Sequence, residues 1–97
     1  MTKGRIANII ETLGDLDDAL RIRREEVLPV LERLGDAHSA AVEKWWIAYL
    51  LIRRGNASDR AEAEALFRTA LDSLRRLGAA SAQEVARQMR EAGFDPG

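Results

Sequence analysis

Residues 37–55 read AHSAAVEKWWIAYLLIRRG, and the fold turns on that stretch. From position 45 to position 52 every residue is apolar or aromatic, and neither Pro nor Gly interrupts the run. A helix through it carries apolar surface around the whole cylinder instead of along one stripe. Such a helix needs cover on several sides. The run is far shorter than the roughly 20 residues that span a bilayer, so the expected cover is protein and not lipid. This stretch is the expected central helix, and the rest of the chain is what packs around it.

The bounds set by composition agree. Ninety-seven residues allow one domain, burying roughly 60–70% of the surface its unfolded chain exposes. Hydrophobic residues at 46% with charged residues at 32% describe a charge-rich globular chain, and aromatics at 5% with two prolines argue against a β-sandwich or a disordered segment. The expected class is all-α. Fifteen basic and 16 acidic residues leave a formal net charge of -1, so no long-range field selects nucleic acid or acidic lipid. There is no cysteine, hence neither a disulfide framework nor a thiolate zinc site. With no leader pattern after Met1, the expected location is cytoplasmic.

Gly14, Gly35, Gly55, Gly78 and Gly93 each follow an apolar-periodic stretch, the punctuation of five helices at about 3–13, 16–34, 37–54, 60–77 and 82–92. Caps are expected at Asp15, Asp36 and Asp59, and at Ser81 with Glu84 in the S-x-x-E form of a capping box. The second helix has its stripe at Leu16, Ala19, Leu20, Val27, Leu31 and Leu34, with Pro29 expected to kink or split it. The fourth has the cleanest stripe, at Ala63, Leu66, Phe67, Ala70, Leu71, Leu74 and Leu77. The fifth, with Ala82, Val85, Ala86 and Met89 on one side, reads as an end cap.

Two patterns recur. Ile6-Ala7-x-Ile9-Ile10-x-x-x-Gly14 returns as Ile47-Ala48-x-Leu50-Leu51-x-x-x-Gly55, and Leu31-x-Arg33-Leu34-Gly35 returns as Leu74-x-Arg76-Leu77-Gly78. The small drift between the two spacings places an insertion in the turn at 56–60. Each unit is a helix, a tight Gly turn and a second antiparallel helix, with units at about 3–35 and 36–78 and the capping helix at 81–93. This arrangement resembles the tetratricopeptide repeat family, in its long-helix bacterial variety. The residues that carry the resemblance are Ile6, Ala7, Ile10, Gly14 and Ala19 in the first unit, and Ile47, Ala48, Leu51, Gly55, Ala63, Phe67 and Ala70 in the second. The first unit departs from the family pattern at Arg23 and Glu26, where the family has an aromatic and an alanine.

The resemblance implies an α-α superhelix whose opening helices line a concave groove for a peptide or a partner helix. Carried over, the groove face holds Asn8, Glu11 and Thr12 from the first unit and Val42, Trp45, Tyr49, Ile52 and Arg53 from the second. Trp, Tyr and Arg are the residue types that dominate binding energy at interfaces. Trp45 suits either groove or packing, whereas Trp46 reads as packing. The Lys, Arg and Asn set with which some family members hold a carboxylate terminus is matched only at Asn8.

Nothing in the sequence assembles a catalytic or cofactor site. His38, the only histidine, lies in the first turn of a helix with no metal-ligand partners. The carboxylates Asp17, Asp18, Glu25 and Glu26 are interleaved with Arg21, Arg23 and Arg24, the pattern of a wet helix face. No phosphate-binding glycine loop occurs, and the scattered arginines lack a recognition-helix pattern for nucleic acid. The expected function is non-enzymatic protein or peptide binding without metal or cofactor. A homo-oligomer is also expected, because the opening helix looks half the length of its counterpart, as in a piece of a longer array, and two units leave a stacking face to satisfy.

Overall fold

The computed structural model describes residues 16–97, and every regular element among them is helical. Helix α1 is made of three joined segments, α-helical Leu16–Ile22, a π turn Arg23–Val27 and α-helical Leu28–Arg33. Then follow α2 (Ala37–Arg54), a 3-10 turn (Ala57–Asp59), α3 (Arg60–Arg76) and α4 (Ser81–Glu91). The described residues thus hold four helices, at the expected places to within a residue or two. The expected helix at 3–13, with the Gly14 turn and the Asp15 cap, lies outside them.

The irregularity expected near Pro29 takes the form of a wide turn that divides α1. The ladder widens just before the proline: the Leu28 N–H donates to the Arg23 carbonyl, a five-residue step. Pro29 then sits in the first turn of the following segment, where its missing N–H leaves no gap in the ladder. The consecutive Ile22 and Arg23, where the wide turn begins, are both buried.

Ends of helices follow two rules and break a third. Gly35, Gly55, Gly78 and Gly93 all adopt positive φ, and at Gly55, φ 76, the N–H returns to the Leu51 carbonyl at 3.3 Å. Asp36 caps α2 by accepting from the Ser39 N–H at 3.0 Å. The other expected caps are corrected. Asp59 makes no cap bond; its carboxylate is gripped by Arg54, Nε to Oδ2 at 2.7 Å and Nη2 to Oδ1 at 2.8 Å. Ser81 falls inside α4, after Ala80 at the cap position, with its hydroxyl buried and without a partner, and Glu84 turns to Arg87. A charge-assisted bond to arginine outcompetes a bond to a backbone N–H in both places.

Ion pairs mark the topology. Asp17 at the start of α1 meets Arg54 at the end of α2, 2.8 Å apart, so this hairpin is antiparallel. Arg60 at the start of α3 donates to the Ala92 carbonyl just past α4, at 2.9 Å, so α3 and α4 are antiparallel too. Arg24 of α1 reaches Glu62 of α3 at 2.8 Å. Two apolar clusters share α2 and α3. One joins Ala19 and Leu20 of α1 to Ile47, Leu50, Leu51 and Ala63; the other joins Ala41, Ala48, Phe67, Leu71 and Leu74 to Val85, Met89 and Phe94. Among the described residues, helix α2 is therefore covered by α1, α3 and α4, but not all round. No helix among the described residues is long and apolar enough to cross a membrane.

Candidate partner-binding face

The side of α2 that none of the described helices covers carries Trp46, 40% exposed, and Tyr49, 36% exposed. Their rings meet edge to face, with centroids 5.7 Å apart and planes at 85°, a favoured geometry for an aromatic pair. A guanidinium closes each end of the row. Arg23, reaching across from α1, lies 5.3 Å from the Trp46 ring centroid, and Arg53, one turn on from Tyr49, lies 5.9 Å from the Tyr49 centroid. Beside Tyr49 opens a cleft of about 160 Å3, lined by Tyr49 and Ile52 of α2, Phe67 of α3, and Gln88, Glu91 and Ala92 of α4 and its end.

The residues expected at a groove are distributed unevenly over this face. Tyr49 and Arg53 are exposed on it, while Val42 and Ile52 are half-buried at its edges. Trp45 turns inward: it packs on the cluster shared with α3 and α4, and its indole N–H donates to Gln88 Oε1 at 2.6 Å. Trp46, expected as packing, is the exposed indole. The reason is angular, since successive helical residues lie about 100° apart and a neighbour of a core-facing Trp45 points out on the uncovered side. Asn8, Glu11 and Thr12 lie outside the described residues.

Adjacent arginines in α2 have different tasks. Arg54 is engaged by Asp59 and Asp17, which raises its pKa, the bonds to Asp59 contributing most; in return it holds the Asp59 carboxyl below the usual range. Arg53 has no carboxylate partner among the described residues. Across the cleft, Glu91 accepts from Arg87 Nη1 at 2.7 Å, and Arg87 also pairs with Glu84, whose carboxyl it holds low.

Beneath the aromatic row lies a feature the wet-face interpretation of α1 missed. Arg23 is 4% exposed and Glu43 7%, and Arg23 Nη1 lies 2.9 and 3.1 Å from the two carboxylate oxygens of Glu43. A signal for this pair was present in the pattern. Arg23 stands three residues after Leu20 and four before Val27, on the apolar stripe of α1; Glu43 stands three after Ala40 and four before Ile47. Each is the polar break in a buried stripe, and their charges are opposite.

The face offers apolar area, ring edges and one uncompensated guanidinium; it does not bring a nucleophile to a base. Among the described residues no group of His, Cys, Asp and Glu is placed to hold a metal ion, and His38 is exposed. In comparisons with protein families, characterised proteins and solved structures, nothing matches the chain.

Proposed function

We propose that the chain is a non-enzymatic protein-interaction module, a short α-α superhelix of the tetratricopeptide kind that takes a peptide or helix of a partner protein on the uncovered face of α2. The observation that carries this is the exposed pair of Trp46 and Tyr49, held between two guanidiniums and continuous with the cleft beside Tyr49. Rigid aromatic rings with a polar edge lose little conformational freedom on binding and dominate interface energies. Tyr49 and Ile52 give the cleft apolar anchoring, and Arg53, beside the Tyr49 ring, suits a carboxylate on the partner.

The superhelical arrangement draws support from α4. Val85-Ala86-x-x-Met89-x-x-x-Gly93 repeats the spacing of Ile47-Ala48-x-x-Leu51-x-x-x-Gly55; the Val, Ala and Met are buried like their counterparts, and Gly93 has φ 88 against 76 at Gly55. Helix α4 thus stands to α3 as an opening helix of a further unit, and the cleft lies between two such opening helices.

Short random peptides selected against the chain test the proposal. Binders are expected to lose about tenfold or more in affinity in Tyr49→Ala or Arg53→Ala with helicity unchanged. Selection that yields no binder sensitive to either position refutes it. Self-association is the second reading, favoured by the apolar side chains Leu34, 74% exposed, and Leu77, 51% exposed, at the two hairpin tips. Solution mass that rises with concentration, and falls back in Leu34→Asp with Leu77→Asp, would establish it.

A further inference from the structure

We infer that the buried ion pair of Arg23 and Glu43 is a positioning device for Trp46, fixing the orientation in which that indole is presented to solvent. The purpose so assigned rests on the proposal that this face binds a partner; the positioning itself is testable without one.

Stability alone does not account for the pair. Taking both charges out of water costs more than their attraction commonly returns, and apolar side chains of similar volume serve a core as well or better. What an apolar pair cannot supply is a charge at a fixed point. Glu43 engages Arg23 with both carboxylate oxygens, at 2.9 and 3.1 Å, which immobilises the guanidinium. That guanidinium then stands 5.3 Å from the Trp46 ring. Glu43 and Trp46 are three residues apart on α2, so carboxylate, guanidinium and indole are stacked at one seam between α1 and α2.

Trp46 needs such a device. At 40% exposure none of the described helices packs over it, and an aromatic side chain there has several rotamers open to it. Tyr49 limits the ring from one side through the edge-to-face contact; Arg23 provides the second fixed partner. One ring held by two neighbours presents a single surface, which lowers the ordering cost of binding.

The experiment uses the full chain with Trp45→Phe, so that Trp46 is the only tryptophan. Into it go Arg23→Met and Glu43→Leu together, an apolar replacement of the pair. The expected result is a chain that stays folded by circular dichroism, together with faster local motion of Trp46 in fluorescence anisotropy decay. Acrylamide quenching should rise toward about 2.5-fold, the ratio that separates 40% from full exposure, as the conformer bias of the cation–π contact is lost. A Trp46 equally ordered with and without the pair overturns the inference. Should the double variant fail to fold, Trp46→Leu at the exposed position decides. The Arg23 side-chain protons are expected to carry upfield ring-current shifts that vanish in this variant, and their absence from the parent chain overturns the inference equally. Loss of Trp46 order with peptide binding unaltered leaves the positioning intact and removes only the binding role of the face.

Discussion

Two neighbouring residues of α2, Tyr49 and Leu50, should respond very unequally to the same truncation. Leu50 is fully buried among Ala19, Leu20, Ile47, Leu51 and Ala63. Leu50→Ala removes about three carbons' worth of apolar transfer, about 0.8 kcal/mol each. The incompletely relaxed cavity brings the total to about 3–4 kcal/mol. Against a whole stability of about 5–15 kcal/mol for a domain of this size, the melting temperature should drop by about 15–25 °C. Tyr49→Ala removes a half-solvated ring, its edge contact with Trp46 and its contact with Arg53, worth about 1 kcal/mol or less. Thermal and urea unfolding followed by circular dichroism measure both, with an unchanged urea slope showing that the unfolded state is not the source. Equal losses, or the reverse order, would mean that α2 is rotated about its axis relative to the structure, and the binding face would have to be redrawn.

Three further outcomes are expected. Gly55→Ala should cost about 1–2 kcal/mol, because φ 76 puts a Cβ against the following carbonyl. Acid should unfold the chain from below about pH 4: the Arg54 hydrogen bonds hold the Asp59 carboxyl low, and the Ser39 N–H does the same for Asp36. A depressed folded pKa gives stability that is present above the unfolded value, near 3.8, and lost as pH falls through the folded one, so Asp59→Asn should flatten the acid limb of a stability–pH curve. Phe94→Ala should cost about 3 kcal/mol, since this ring packs on Phe67 with centroids 6.1 Å apart and lies under Arg60 at 4.3 Å; hydrogen exchange should show the loss first in α4.

Where helices begin and end was legible because Gly at positive φ is a local requirement, met at Gly35, Gly55, Gly78 and Gly93 without help from tertiary structure. The core faces of α3 and α4 were legible as well: Ala63, Phe67, Ala70, Leu71 and Leu74 are all buried, as are Ala82, Val85, Ala86 and Met89. In both helices a polar side opposes the stripe, so the pattern fixes the rotation. It fails at the ends, where Leu34 and Leu77 continue the spacing past the last turn into solvent. It fails more deeply in the run 45–52, for a periodicity gives angles between residues but not which arc of an apolar cylinder a neighbour covers. The face of α2 that matters for binding was therefore the part the pattern left open.

What sets that rotation is found in the exceptions. Trp46 and Tyr49 keep a polar atom at the ring edge, an indole N–H and a hydroxyl, so leaving them half in water costs less than exposing Leu50 or Leu51. That preference is graded and by itself tolerates a slip. The pair of Arg23 and Glu43 is not graded. Rotating α2 by one residue, about 100°, would carry Glu43 away from α1 and forfeit both contacts of its carboxylate with Arg23. A helix that is apolar all round could settle against its neighbours in several rotations of similar burial. One charge on each side of the α1–α2 seam excludes all but the rotation that puts Trp46, Tyr49 and Arg53 outside, and so a pair of little net worth to stability selects the surface the protein presents.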